Sequence, residues 1–484
     1  MKTSRRRILR GVVVAVILLL GFGVYYLSKM AAVGAGYKAK VICSSVFVSN
    51  RDAESVFSED AALASMRLID ARIDHDARTV TATGLGGLVK RKAIYREGLG
   101  ATLVVGISEE ELRAQAAVDL APSPANQQEL PWPTGDLIES EEPPPGIDTQ
   151  KLADALDEAF SEPDPDRPRR TRAVVILYEG QIIAERYAPG FARDTALLGW
   201  SMTKSVTNAL VGILVGQGKL SVDEPAPVPE WSGPGDPRGA ITLDNMLRMS
   251  SGLKFGEIYE DPLSDVCIML FSVGDAAAYA ADKPLETEPG GKWYYSSGTT
   301  NMISRMVRDA VGGTQADYFA FPRRALFDRI GMRSAVIEPD PSGTFVGSSY
   351  MYATARDWAR FGLLYLQDGV WEGERILPEG WVDYSRKPTP GSPGGVYGAH
   401  FWLNPARTPD ESTGSARVDL SAPRLPADLH QCLGHEGQSV TIIPSRNTVI
   451  VRLGLTQDPK SWDLDSFIAD VLEAVPDNKG VLST

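Results

Sequence analysis

Ser201 and Lys204 stand three residues apart in the run Leu197-Leu198-Gly199-Trp200-Ser201-Met202-Thr203-Lys204-Ser205. On a helix that spacing puts both side chains on one face. An amine there can draw the proton from a hydroxyl and turn a weak nucleophile into a useful one. A chain of this length yields about one or two such spacings by chance, so the company matters. One further cluster is Gly290-Gly291-Lys292-Trp293-Tyr294-Tyr295-Ser296-Ser297-Gly298, with a helical stretch from Met302 to Val311 behind it. Another is Gly434-His435-Glu436-Gly437-Gln438, just ahead of a strand, where a glycine lets a ligand approach the backbone. His435-Glu436 does not open a zinc-protease helix, because position 439 is serine rather than histidine. Nor is Gly199-Trp200-Ser201-Met202-Thr203 a nucleophile elbow, since its last residue is not glycine.

Several elements must position these residues. Met202 to Val215 has helical periodicity and is stopped by Gly216 and Gly218. Ser201 therefore falls at a helix amino terminus, where a serine can serve as an N-cap. Backbone N–H groups and the helix dipole also favour negative charge there. Lys204, one turn on, becomes a base if enclosure lowers its pKa. An amphipathic helix, Thr149 to Phe160, precedes a strand pair, Ala173–Tyr178 and Gln181–Arg186, joined at Glu179-Gly180. Near the other end Ser439–Pro444 and Thr448–Leu453 form a similar pair around Arg446-Asn447, followed by a helix from Leu464 to Val475. This order predicts an α+β architecture, an antiparallel sheet flanked by helices with a helical insertion between the two hairpins.

Taken in order, Ser-x-x-Lys, Tyr-Ser-Ser and His-Glu-Gly before a strand resemble the serine β-lactamase and penicillin-binding superfamily, whose shared devices are a Ser-x-x-Lys helix, a polar loop and a Lys-Thr-Gly strand. The nearest likeness is to its β-lactamase-related esterase and amidase branch, which includes 6-aminohexanoate-dimer hydrolases. It spans about residues 150 to 475 and is strengthened by Ile241-Thr242-Leu243 leading to Met249-Ser250-Ser251-Gly252-Leu253. The resemblance implies Ser201 as acylated nucleophile, Lys204 as its base and Tyr295 as proton relay. It also implies an oxyanion hole built from the backbone N–H groups of Ser201 and Gln438. Ser297, His435, Glu436 and Gly437 would then contact substrate, with Tyr259 and Asp265 as pocket candidates in the insertion. Ser297 replaces the asparagine of the Tyr-x-Asn type. His435 and Glu436 replace a lysine and a hydroxyl residue that would grip a carboxylate. A histidine beside a carboxylate is a poor anion clamp at pH 7, which points away from penicillins and peptidoglycan.

The remainder sets the context. The chain has 484 residues, 43% hydrophobic and 23% charged, and a net charge of −13, which argues against general nucleic-acid binding. Arg5, Arg6, Arg7 and Arg10 lie at the head of an apolar stretch from about Ile8 to Leu27. That length crosses a bilayer as a helix, and the arginines belong in the cytoplasm. Residues 1–30 are read as an uncleaved anchor in preference to a signal peptide cut near Val33-Gly34-Ala35, leaving the catalytic domain outside the cytoplasm. Residues 37–120 are expected to form a small α/β domain of their own: β-formers from Val41 to Val48, helical spacing from Leu63 to Arg72, a strand at Thr79–Thr83 and an apolar run from Ala101 to Ile107. Residues 121–146 are proline-rich and acidic, a linker that spans rather than folds, and 147–484 hold the hydrolase. Cys43, Cys267 and Cys432 have no metal-ligand spacing; their pairing and the oligomeric state are left open by the sequence.

The expectation is a serine hydrolase of small esters or linear amides that needs no metal or organic cofactor and binds no nucleic acid. The alternatives are a D-alanyl-D-alanine carboxypeptidase or β-lactamase, and a non-catalytic sensor on the same fold.

Overall fold

The computed structural model describes residues 2–63, 66–115, 128–140, 142–404 and 425–477. Helix α1 runs unbroken from Lys2 to Phe47, about 70 Å at 1.5 Å per residue. It contains an apolar run long enough to cross a membrane. Leu18, Leu19, Phe22 and Val24 are exposed along it, whereas from Ala32 onward the helix is buried. The β-formers at Val41–Val48 thus lie in a helix, not a strand, because burial on two faces outweighs local propensity. Val33, Tyr37 and Val41 enter the main core. Ala32, Ala35, Ala39, Ile42 and Val46 enter a second core under a small sheet.

That sheet follows α2 (Ala53–Ser58) and consists of β1 (Asp70–Asp74), β2 (Thr79–Gly84), β3 (Val89–Arg96) and β4 (Gly100–Leu103), antiparallel and in sequence order; α3 (Glu109–Ala114) comes after it. The helical spacing at Leu63–Arg72 yields turns leading into β1. The small unit does not stand apart as a domain at 37–120. Its helix begins inside the anchor segment, and its core is closed by α1. Glu338, from the far side of the chain, is fully buried within it: Lys40 Nζ bonds its carboxylate, Ser44 Oγ donates to it at 2.7 Å and Ala101 N–H at 2.6 Å. Arg172 adds donors to Asp60 and Glu59 at 2.7–2.9 Å.

The larger unit opens with α4 (Thr149–Ala159), then β5 (Thr171–Tyr178), β6 (Gln181–Tyr187) and the short β7 (Leu197–Leu198). Helices α5 (Thr203–Gly216), α6 (Leu243–Leu247), α7 (Asp265–Ser272), α8 (Ala276–Ala281), α9 (Ser297–Val311) and α10 (Gln315–Pro322) make the insertion. Strands β8 (Val336–Ile337) and β9 (Met351–Ala353), helix α11 (Ala355–Leu366), the ribbon β10 (Val370–Trp371) and β11 (Glu374–Arg375), and α12 (Trp381–Arg386) complete it. The chain closes with β12 (Trp402–Leu403), β13 (His430–Gly434), β14 (Gln438–Ile443), β15 (Thr448–Gly454) and α13 (Leu464–Ala474).

The main sheet has the order β12-β13-β14-β15-β5-β6, with β15 pairing antiparallel to β5. This joins the first hairpin to the last. Alternation sorts its side chains by face. Val174, Ile176 and Ile450 pack with α4 and α13; Val175, Leu177, Val449 and Val451 share the main core with α5 and α11. The described part of the 121–146 segment is docked rather than spanning. The Arg360 guanidinium, 2% exposed, needs acceptors and finds the carbonyls of Pro133 and Gly135 at 2.8 and 2.6 Å and Asp136 Oδ1 at 2.9 Å. Cys43, Cys267 and Cys432 are buried and free.

Removing one partner of a buried ion pair leaves the other uncompensated and costs about 3–5 kcal/mol. Lys40→Met should therefore lower the midpoint of thermal unfolding in detergent, and Lys40→Met with Glu338→Leu should recover much of the loss. An unchanged midpoint in the single variant would show that α1 is not an integral part of the catalytic fold.

Candidate active site

Ser201 sits in a tight turn, Trp200–Met202, between β7 and α5. The turn is held from both sides. Gly199 N–H donates to Met351 O at 2.8 Å, and Thr203 Oγ1 donates to Trp200 O at 2.6 Å. Trp200 has φ +48°, a left-handed conformation that costs a non-glycine residue about 1–3 kcal/mol. Its buried indole offsets this, with Nε1 donating to Glu436 Oε2 at 3.1 Å. The turn after β13 approaches so closely that a Cβ on Gly434 would lie 2.2 Å from Gly199 O. The N-cap position of α5 is Met202, with no side-chain capping bond; the Ser201 hydroxyl faces Lys204.

Lys204, 1% exposed, has its Nζ 3.0 Å from Ser201 Oγ, 3.0 Å from Ser297 Oγ and 3.0 Å from Ser348 O. The ring of Tyr295 lies 4.8 Å from the same nitrogen. Burial brings the Lys204 pKa down to about 8, with the nearby Glu257 charge opposing the fall. Proton bookkeeping then orients the amine. Ser297 gives its hydroxyl proton to Glu257 Oε1, and its N–H donates to Glu257 Oε2 at 2.8 Å. With that proton committed, Ser297 Oγ accepts from Lys204. The Ser348 carbonyl can only accept. A neutral amine has two protons, and both are now placed. In the unprotonated amine the remaining position, the lone pair, would then be left for Ser201 Oγ.

Glu257 caps the amino end of α9, where the helix dipole favours a carboxylate. Withdrawal from water nonetheless raises its pKa, the Lys204 charge and the Ser297 donors pulling the other way. Behind Lys204 stands His400, 2% exposed, with Nδ1 2.9 Å from Lys204 O and Nε2 3.2 Å from Thr300 Oγ1. Burial lowers its pKa to about 3. The ring is neutral, donating from Nδ1 and accepting at Nε2.

The other predicted residues arrive at this centre to different degrees. Tyr295 stacks on Trp402 at 5.5 Å and meets Tyr397 edge-on at 5.8 Å, which fixes its ring against the amine. His435 is stacked on Tyr259 at 4.8 Å, and Tyr259 Oη reaches Glu257 Oε1 at 3.5 Å. His435, Glu436 and Gly437 form a turn with φ +61° at Glu436 and +79° at Gly437. The Gln438 side chain braces that turn, donating to Gly454 O at 2.7 Å and His435 O at 3.2 Å, and accepting from Gly454 N–H at 2.9 Å. The backbone at Gln438 is thereby fixed beside the Ser201 turn. Asp265 stays in the scaffold. Its carboxylate accepts from Gly256 N–H at 2.8 Å, Tyr279 Oη at 2.7 Å and Lys283 Nζ at 2.6 Å, so it anchors the residue before Glu257 and does not reach Ser201.

Glu257, Ser348 and His400 escape sequence reasoning. Glu257 leaves a faint signal, a charge two residues ahead of Tyr259 in one loop. Ser348 acts through its carbonyl, which any residue possesses.

Residues 153–470 match the family model described as Beta-lactamase. Over 311 residues the chain is 28% identical to the 6-aminohexanoate-dimer hydrolase of Paenarthrobacter ureafaciens, covering 60% of this chain and 74% of that protein. Among solved structures, one from Bacillus anthracis named as a 6-aminohexanoate-dimer hydrolase superposes with a TM-score of 0.52 at 22% identity, over 67% of this chain and 83% of the other. EstCE1, described as a hydrolase with promiscuous acyltransferase activity, superposes at 0.50 with 16% identity, over 67% and 98%. These two likenesses speak to the fold alone. The chain belongs to the beta-lactamase family and is related in sequence to 6-aminohexanoate-dimer hydrolase.

Proposed function

We propose that this protein cleaves small esters or linear amides through an acyl-enzyme on Ser201. The observation that carries the reading is the buried Lys204 amine, 3.0 Å from each of Ser201 Oγ, Ser297 Oγ and Ser348 O. Lys204 takes the hydroxyl proton as Oγ attacks the substrate carbonyl. The tetrahedral oxyanion is held by the backbone N–H groups of Ser201 and Gln438, each worth about 3 kcal/mol by analogy with measured cases. The proton on Lys204 passes by way of Tyr295 to the departing alcohol or amine as the C–O or C–N bond breaks. Water then enters along the same proton path in reverse, attacks the ester carbon and frees Ser201.

Substrate class follows from charge. Glu257 and Glu436 lie on either side of the Ser201–Lys204 pair, one bonded to Ser297 and the other to Trp200. A substrate carboxylate would meet this acidic flank, whereas a neutral ester or an amide bearing an amine would not. That favours esters and linear amides over penicillins and D-alanyl-D-alanine peptides. The arginine cluster ahead of the apolar part of α1 supports a cytoplasmic amino terminus with the hydrolase outside, by the positive-inside rule.

Fluorophosphonate labelling of the full chain should vanish in Ser201→Ala; labelling that persists would remove Ser201 as nucleophile. For p-nitrophenyl ester hydrolysis kcat/KM should rise about tenfold per pH unit below about 8 and level off above it, because the base must be unprotonated. A flat profile from pH 6 to 8 would exclude Lys204 as the base. Glu257→Gln removes a charge that holds Lys204 protonated, so the break should move to lower pH; movement upward would contradict the assigned electrostatics. In a panel of p-nitrophenyl esters, linear amide oligomers, a cephalosporin and D-Ala-D-Ala peptides, turnover should be confined to the first two, with Lys204→Ala as control.

A further inference from the structure

We propose that the β1–β4 sheet seats the catalytic unit on the bilayer, with the β2–β3 turn and Leu68 inserted in the lipid interface beside the emerging α1. The inference rests on reading α1 as the membrane span.

The direction of β2 sets the geometry. Val80, near its start, lies beside Cys43 on α1. Gly84, at its end, lies against Ala31: a Cβ there would be 3.6 Å from the Ala31 Cβ. β2 therefore runs back along α1 towards the helix amino terminus. Strands advance about 3.3 Å per residue and helices about 1.5 Å. Two residues past Gly84, in the tight turn Leu85–Gly87 that rises about 2 Å per residue, the chain is level with about Ser28 to Lys29, the last turn of the exposed apolar run. The neighbouring strand agrees: Asp70 pairs with Thr83 and the Ile69 side chain lies against Gly84, which places Leu68 at the same end of the sheet.

That end carries apolar surface with no use in water. Leu88 is 87% exposed, Leu68 89% and Leu85 39%. Outside α1, exposed large apolar side chains are few among the described residues, and these three share one sheet end. Leu85 has φ +51°, a conformation that asparagine or aspartate takes far more readily than leucine. A leucine held there, and exposed, gains nothing from folding. It gains from burial in lipid. The surrounding charge suits a headgroup layer. Arg67, Lys90 and Lys29 are exposed around the tip, as cationic side chains at a membrane boundary are; Asp70 is the acid at the same end, opposite Thr83.

The test uses the full chain in phosphatidylcholine and phosphatidylglycerol nanodiscs carrying nitroxide-labelled lipid. Single cysteines bearing an environment-sensitive fluorophore are placed at Leu19→Cys, Leu88→Cys and Leu137→Cys; the three native thiols are buried. Leu137 is an exposed apolar residue remote in sequence from the sheet. Quenching at 19 and 88, at least threefold stronger than at 137, is expected. Quenching at 19 but not at 88 overturns the seating while leaving the span intact. Quenching at neither overturns both, and equal quenching at 88 and 137 overturns the particular role of this turn.

Discussion

The structure depends on keeping one amine out of water. On the proposed reading Lys204 must lose its proton near neutral pH, and enclosure brings its pKa down to about 8. Enclosure costs folding free energy, so the surroundings must satisfy every hydrogen on the nitrogen. The Ser348 carbonyl and Ser297 Oγ do this. Ser297 donates its hydroxyl proton to Glu257, which leaves its lone pairs for the amine, and Glu257 is presented by a loop that Asp265 ties down through Gly256. The insertion thus supports the surroundings of one amine.

The same requirement explains why the turns around Ser201 are tight. Gly434 lets the β13–β14 turn rest on the Ser201 turn, and Trp200 is kept in a disfavoured conformation by its bond to Glu436. Gln438, locked to Gly454 and to the His435 carbonyl, makes that second turn rigid. Donors that are to meet a developing negative charge must already be in place when it forms. The polar side chain of Gln438 works on its own backbone.

Much of this was legible in sequence where periodicity and chemistry coincide. Both hairpins and the helices α4, α5 and α13 follow from alternation or from 3.6-residue spacing, and the meeting of Ser201, Lys204 and Tyr295 from their ordered motifs. What was not legible depends on contacts between distant segments. Val41–Val48 has strand-forming residues, yet it continues a helix because Tyr37 and Val41 are wanted in one core and Ile42 and Val46 in another. The acidic, proline-rich stretch looks like a spacer until Arg360 is seen to need its carbonyls. Glu257 is one carboxylate among many until Ser297 folds onto it. Asp265 illustrates the opposite error, a polar residue in the right loop whose oxygens are already used.

The continuity of α1 has a consequence for the reach of the enzyme. Tyr37 and Val41 line the same small cavity as Trp200 and Glu436, so the helix passes within a side chain of the Ser201 turn. These residues stand seven to eleven positions beyond Met30, about 10–17 Å along the axis. With the apolar part of α1 in a bilayer, the reactive hydroxyl is carried at a set altitude, on a rigid post and not on a tether. Such an enzyme works a thin layer of solution. A scissile bond held close to the headgroups, or a small molecule free to diffuse through that layer, comes within range; one presented on a tall polymer well above the membrane does not.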